Sequence, residues 1–282
     1  MEHVTEDARL SENRNIGRII KILDALAPGS NVGLRLTDVV ERTQMGKTTV
    51  HRLLAGLLAN DLVEQDEDTG RFFIGMKMLA WAAAVKDRFG FVRLAEPALE
   101  RINQSTHDTI YLVARVRDEV VCLDCREGSY PIKVLTLNIG DHRPLGIGAG
   151  SLAILAALPD EEVERVLRTQ AAARAPFPFD ELQLRQMIAE TRRNGYSYNN
   201  VHLFRNMEQV PGMAAIGVPI RRRDGLPVAA LHITSITSRM DPPRRGAIVA
   251  AMQEEARHLE EKLEPVLDEI SRSPRPRAVR MI

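Results

Sequence analysis

The sequence predicts an α+β protein in two parts. The first is a small winged helix-turn-helix, and the second is a larger domain of helices around a mainly antiparallel sheet. Three observations predict this. Residues 36–58 read as a short helix, a tight turn at Gln44-Met45-Gly46, and a second helix with one apolar and one polar face. Residues 62–74 follow as two short β-runs around a loop whose Asp and Gly suit a tight turn. Strand-like runs then fall at 109–116, 120–125, 132–137, 214–220 and 227–236, with helical patterns between them.

Taken in order, residues 1–13 are expected to be disordered. From Arg14, the apolar positions Ile16, Ile19, Ile20, Leu23 and Leu26 step by threes and fours, so a helix runs to the Pro28-Gly29-Ser30-Asn31 break. In the next helix Thr37 or Asp38 can cap the amides, and Gly46 permits the turn that follows. Thr48 or Thr49 can cap the third helix. Its stripe of Val50, Leu53, Leu54, Leu57 and Leu58 is apolar. Burying these side chains is worth roughly 7–15 kcal/mol gross, before conformational entropy is subtracted. Lys47, Thr48, Thr49, His51, Arg52 and Ala55 are left on or near the outer face.

Short polar and basic residues at a helix N-terminus are what a recognition helix sets against base edges and phosphates. The bland alternative is a solvated helix face. Arg71 lies beside the hairpin tip, where a wing meets DNA. The acidic tip, Asp66 to Asp68, would repel DNA and is expected to lie off its backbone. Residues 75–88 are rich in Ala and Leu, with Trp81 the only tryptophan. They read as a linker helix that pairs subunits or, alternatively, as one more core helix. Gly90 ends it.

In the second part, helices are predicted over 94–106, 151–158, 159–168, 180–194 and 243–271, with Gly195 closing the fourth. The tail carries Pro274, Pro276 and arginines and is expected to be disordered. The resulting division is 1–13 disordered, 14–76 winged helix-turn-helix, 77–90 linker, 91–272 second domain and 273–282 basic tail.

Composition narrows the function. With 282 residues there is room for two ordinary domains, and 44 % apolar content supports a core. No apolar run approaches the ~18–20 residues of a membrane span, so no membrane partner is expected. The polar, acidic start is no signal peptide. With only Cys122 and Cys125, the cytosol is the expected compartment. Net charge is zero, and residues 14–76 hold eight bases and eight acids. A nucleic-acid reading must therefore rest on where charges sit.

Motifs that would carry other chemistry are weak. Cys122-Leu123-Asp124-Cys125 matches CxxC, but in a regular strand its thiols point to opposite faces, and no second pair completes a zinc site. No cofactor is expected. Ser151 lies outside any GxSxG elbow, and no nucleophile–base–orienter set emerges, so no catalytic residue is assigned. Arg221-Arg222-Arg223 sits in a hairpin turn that is most simply charged for solubility. The loop Pro144-Leu145-Gly146-Ile147-Gly148-Ala149-Gly150 opens onto a helix, where amides favour anions. A carboxylate site and a plain tight turn both fit it.

Together these residues resemble the IclR family of bacterial transcriptional regulators, over most of the chain. The resemblance rests on Leu36-Thr37-Asp38-Val39-Val40, Thr48-Thr49-Val50-His51-Arg52-Leu53-Leu54 and Thr69-Gly70-Arg71-Phe72-Phe73-Ile74-Gly75. It continues through the Gly148-Ala149-Gly150 loop, Leu155-Ala156-Ala157-Leu158-Pro159, Asn194-Gly195-Tyr196 and Ala215-Ile216-Gly217-Val218-Pro219. It implies a winged-helix DNA-binding domain, a linker helix that pairs subunits, and a GAF-like effector domain. It also implies a homodimer or homotetramer on double-stranded operator DNA, with a small organic acid as effector. Lys47, Thr48, Thr49, His51, Arg52 and Arg71 would contact DNA. Residues matching the family's effector cavity are Ile147, Gly148, Ala149, Asn199 or Asn200, Ala215, His232 and Thr234. Departures include the missing acid near Asn199 and Asn200, Ala215 where many members have cysteine, Gly46 where proline is common, and a longer 202–211 segment. The strand Ile216-Gly217-Val218-Pro219-Ile220 resembles the branch that controls aromatic-acid catabolism. The rival reading is a small-molecule enzyme with a vestigial helix-turn-helix.

Overall fold

The computed structural model describes residues 3–27, 32–88, 90–177, 180–199 and 212–272. Asn200, the 202–211 insertion and the 273–282 tail lie outside these. The chain divides into two compact units, with Arg88 the last residue of the first and Phe89 the first of the second.

The first unit opens with α1 (His3–Leu26), α2 (Leu36–Thr43) and α3 (Lys47–Leu58). The α1 helix starts at His3, so residues 3–13, expected to be disordered, are helical. They contain no Gly or Pro, and Ala8, Arg9, Leu10 and Glu12 are good helix formers. The buried face of α1 is Ile22 and Leu26, flanked by half-buried Ile19 and Leu23. The expected stripe was turned too far. Ile16 and Ile20 are 54 % and 50 % exposed, because they sit about 90° around the helix from that face.

The turn between α2 and α3 also differs from expectation. The left-handed residue is Gln44 (φ 55), not Gly46, whose φ is −61. The Gln44 side-chain amide donates to the Glu41 carbonyl at 2.6 Å. Asp38 acts three residues into α2, accepting the Arg35 backbone N–H at 2.9 Å. Gly46 caps α3, so Thr48 and Thr49 lie inside its first turn. Val50, Leu53, Leu54 and Leu57 are buried as expected, and Leu58 partly so.

A hairpin follows, β1 (Val63–Gln65) and β2 (Phe72–Ile74), with Val63 opposite Ile74. Leu34 adds a bridge to Phe72. Gly75 closes the hairpin because a Cβ there would stand 2.3 Å from the Asp61 carbonyl oxygen. The unit ends with α4 (Lys77–Arg88).

The second unit holds one sheet between two helical layers. Its elements are α5 (Phe91–Thr106), β3 (Thr109–Val116), β4 (Glu119–Arg126), β5 (His142–Pro144), α6 (Ala149–Ala156), α7 (Asp160–Thr169) and α8 (Ala171–Arg174). Then come α9 (Glu181–Asn194), β6 (Ser197–Asn199), β7 (Met213–Arg221), β8 (Pro227–Ile236) and α10 (Pro242–Arg272). The strand order is β5-β4-β3-β8-β7-β6, every pairing antiparallel. Ile110, Leu112, Ile216, Leu231 and Ile233 pack on α5 and α10. Tyr111, Val113 and Ala230 face α6, α7 and α9. A sheet covered on both faces explains why β7 and β8 are buried almost throughout instead of alternating.

Two expectations fail here for physical reasons. Residues 132–137 form no strand. Their backbone is satisfied by side chains: Thr234 Oγ1 donates to the Val134 carbonyl at 2.7 Å, and Tyr111 Oη accepts the Thr136 N–H at 3.1 Å. The edge place next to β4 goes to β5 instead. The cysteines are the second failure. A bulge leaves Leu123 as the extra residue, since Leu112 pairs Asp124 while Val113 pairs Cys122. Strand parity flips there, so Cys122 and Cys125 share the α6-facing side.

Candidate functional site

Two regions hold the residues singled out from sequence, one in each unit. In the first, α3 turns Lys47, Thr48, His51, Arg52 and Ala55 to solvent, with Thr49 half-buried. Spacing dictates this: 47, 48, 51, 52 and 55 lie opposite Val50, Leu53, Leu54 and Leu57. Among the described residues, Lys47, His51 and Arg52 make no side-chain hydrogen bond or ion pair with the rest of the chain. Three other cations of this unit, Arg42, Lys77 and Arg71, are engaged. Arg42 donates to the Ala25 carbonyl at 3.1 Å, and Lys77 to the Asn60 carbonyl at 3.0 Å. Arg71 donates to the Gly33 carbonyl at 2.9 Å, so its guanidinium is tied to the chain ahead of α2. At the tip, the Thr69 hydroxyl and amide both donate to Asp66, holding its carboxyl below the usual range.

In the second unit the β register does the assembling. Asn199 pairs Ala215, and Ala215 pairs Thr234, so three residues far apart in sequence share one rung. Two residues along each strand, Ser197 pairs Gly217, Gly217 pairs His232, and His232 pairs Tyr111. Both rungs face α6. The loop ahead of α6 lies against them: Ser197 Oγ donates to the Ala149 carbonyl at 2.6 Å. A Cβ on Gly217 would stand 2.3 Å from the same oxygen. Gly148 (φ 86, ψ 156) holds a conformation that glycine alone adopts readily and starts α6. The first-turn amides of a helix have no partner within it. Ile147 is buried beside Phe177 and Met213. Thus Ile147, Gly148, Ala149, Asn199, Ala215, His232 and Thr234 are all buried, gathered on and above two rungs. Asn200 lies outside the described residues.

Sequence reasoning missed three neighbours of this cluster. Tyr111 is fully buried, its ring centroid 5.4 Å from that of His232. Arg143, part-buried, donates from Nη2 to the Thr136 carbonyl. Thr136 Oγ1 and His232 Nε2 are buried and have no hydrogen-bond partner. A strand-like pattern hid Thr136. Arg143 was hidden by its place in a short segment read as loop.

Burial and, after it, the nearby Arg143 guanidinium push the His232 imidazole down to about 3. Its unfolded value is about 6.5. The unfolded chain therefore takes up this proton first, and stability present above pH 6.5 is lost as pH falls toward 3. Between pH 6.5 and 5 the slope is expected to reach about 1.4 kcal/mol per unit from this residue. Urea unfolding of the native chain and His232→Gln across that window checks it; equal slopes would show that His232 titrates normally. The thiols are poor nucleophiles at neutral pH: burial first, then neighbouring negative charge, raises Cys122 to about 12 and Cys125 to about 11.

A winged helix with solvent-facing basic residues and a separate unit with a buried polar cluster make the arrangement of a ligand-responsive transcription regulator, the class to which the chain's matches belong. Residues 16–67 match the IclR helix-turn-helix domain, and residues 83–261 match the bacterial transcriptional regulator IclR C-terminal domain. The chain belongs to the IclR family. It is 30 % identical to the HTH-type transcriptional regulator BhcR of Paracoccus denitrificans, over 90 % of this chain and 89 % of that one. KipR of Bacillus subtilis is 26 % identical, over 82 % and 90 %. An IclR regulator from Alicyclobacillus acidocaldarius shares the fold with a TM-score of 0.72 at 24 % identity, covering 88 % and 98 % of the two chains. An IclR homolog from Microbacterium hydrocarbonoxydans, solved in complex with 4-hydroxybenzoate, gives 0.71 at 22 %, covering 89 % and 99 %. No helix among the described residues is long and apolar enough to cross a membrane.

Proposed function

We propose that this regulator senses a small organic acid bound on the two α6-facing rungs and adjusts its grip on a double-stranded operator in response. The observation that carries this is the cluster itself: Ala149, Asn199, Ala215, His232 and Thr234 come from four separate segments and converge by β register. Orphaned polar atoms beside it are what a polar ligand would satisfy. The ligand contacts are Ile147, Gly148, Ala149, Asn199, Asn200, Ala215, His232 and Thr234. An aromatic acid is the first candidate, on the likeness to the protein solved with 4-hydroxybenzoate.

On DNA, Lys47, Thr48, Thr49, His51 and Arg52 meet the major groove, and Arg71 supports the wing contact. Division of the chain follows 14–76 for DNA, 77–90 for the linker and 91–272 for the effector. Subunits pair as a homodimer or homotetramer through α4, where Leu79 and Trp81 are 62 % and 52 % exposed. The protein works in the cytoplasm, where its operator is. A ligand shifts DNA affinity only by distinguishing two arrangements of the dimer.

Binding to DNA upstream of its own gene is expected to be saturable and sequence-selective, with a steep salt slope. Titration with a panel of aromatic and aliphatic acids is expected to change that affinity; indifference to every acid would defeat the ligand reading. For Arg52→Ala the expected loss is about 1–3 kcal/mol of operator affinity if Arg52 reads a base. An unchanged affinity in the folded variant would remove Arg52 from the interface.

A further inference from the structure

The segment 134–136 crosses the α6-facing side of the sheet without joining it as a strand. Side chains pin it from three strands. From β8, Thr234 Oγ1 donates to the Val134 carbonyl at 2.7 Å. From β3, Tyr111 Oη accepts the Thr136 N–H at 3.1 Å. From β5, Arg143 Nη2 donates to the Thr136 carbonyl. Every backbone group thus bound belongs to a short stretch that also carries a buried hydroxyl with no partner, Thr136 Oγ1. A second orphan, His232 Nε2, belongs to a residue only 3 % exposed whose ring neighbours Tyr111.

A buried polar atom with no partner costs stability. Both atoms belong to residues that Arg143 reaches: it binds the Thr136 carbonyl, and its charge acts on His232. The Arg143 side chain supplies positive charge in a part-buried setting, where burial disfavours its charged form and Asp141 offsets part of that cost. An anionic ligand would add to that offset. A neutral imidazole and a threonine hydroxyl can both donate, and a carboxylate accepts from both.

We propose that Arg143, Thr136 Oγ1 and His232 Nε2 together form the carboxylate-recognition point of the effector site, so that the effector is an organic acid read through its anion. This rests on the ligand-sensing reading above and goes beyond it, because Thr136 and Arg143 lie outside the residue set read from sequence. The effector carboxylate accepts from the Thr136 hydroxyl and the His232 N–H, and the Arg143 guanidinium neutralises it. The rest of the ligand lies toward Ala215 and Asn199.

Calorimetry on the full chain separates the two levels of the argument. The probes are 4-hydroxybenzoate, benzoate and pyruvate, each beside its neutral amide. The native chain is expected to bind at least one acid about tenfold or more tightly than its amide. Arg143→Met is expected to erase that preference, and Arg143→Lys to keep part of it. Should Arg143→Met disturb the segment it pins, Thr136→Val provides an independent reading. Removing an orphan hydroxyl isosterically is expected to leave the melting temperature equal or higher while weakening the acid about tenfold. A merely structural threonine would not move these two in opposite directions. An unchanged acid preference in both Arg143→Met and Thr136→Val would overturn this assignment while leaving an acid-sensing regulator in place. A native chain that binds none of the acids, or binds amides equally well, would overturn both.

Discussion

Replacing Gly217 by alanine is expected to destabilise the second unit by about 2–3 kcal/mol or more, and to abolish effector binding with it. The added methyl would lie 2.3 Å from the Ala149 carbonyl oxygen, 2.5 Å from its carbon and 2.6 Å from Ser197 Oγ. Two of those three atoms are backbone and cannot rotate away. The α6 N-terminus would have to lift off the sheet, carrying Gly148 and Ala149 from the rung shared by Gly217 and His232. Gly150 makes a useful comparison. Its Cβ would meet the Val113 and His232 side chains at 2.9 and 3.0 Å. The Val113 methyl can shift, although the His232 Cβ moves only with its strand, so Gly150→Ala should cost less than Gly217→Ala. Gly246, in α10, is the control: nothing lies within 4 Å of its Cβ position. There alanine should stabilise by up to about 1 kcal/mol through helix propensity. Urea unfolding of the three variants, followed by near-UV circular dichroism, gives the order directly. A Gly217→Ala chain as stable as the native one would mean the α6 seam is looser than its geometry.

The contrast between Gly217 and Gly46 shows what was legible in the sequence. Local periodicity sufficed for α3, whose stripe was read correctly from Val50, Leu53, Leu54 and Leu57. It also sufficed for β3 and β8, found with the ends they have in the structure, and for the Gly195 cap of α9 (φ 74). Where a tertiary contact decides, the same reasoning failed. Gln44 takes the left-handed turn because its side chain satisfies the Glu41 carbonyl, so Gly46 is not needed there. The alternation in 132–137 resembles a strand, yet hydrogen bonds from Tyr111 and Thr234 replace a ladder. The Cys122 and Cys125 faces were misassigned because a one-residue bulge leaves no mark in composition. The candidate effector residues came from resemblance, and register then brought Asn199, Ala215 and Thr234 onto one rung. Thr136 was illegible because Tyr111 reaches it from across the sheet, and Arg143 because an irregular loop returns it to Thr136. Neither alternation nor helical spacing encodes either meeting.

Asp108 is the other residue whose loss should be severe, and here the cause is charge and not volume. It is 4 % exposed at the start of β3 and ties three later segments to the end of α5. Ser235 Oγ donates to Asp108 Oδ1 at 2.7 Å, and Arg239 Nε to the same oxygen at 3.1 Å. Arg244 Nη2 donates to Oδ2 at 2.6 Å, and both arginines also reach the Thr106 carbonyl. Arg239 further stacks on Tyr130, 3.8 Å from the ring centroid. Asp108→Ala would leave two guanidinium groups facing each other with no carboxylate between them. Removing one partner of a buried pair typically costs about 3–5 kcal/mol. The lower end, about 3 kcal/mol, is expected because Arg239 and Arg244 keep 20 % and 30 % of their side-chain surface in water. The Arg101–Glu255 pair gives the internal standard. Arg101 is 56 % exposed, so Arg101→Ala should cost about 1 kcal/mol or less. If the two variants proved equally stable, the Asp108 network would be dispensable and the apolar layer under α5 and α10 would hold the unit alone. If Asp108→Ala unfolds early while Arg244→Ala is mild, the penalty lies in stranded positive charge, because losing one arginine relieves the very repulsion that losing the carboxylate creates.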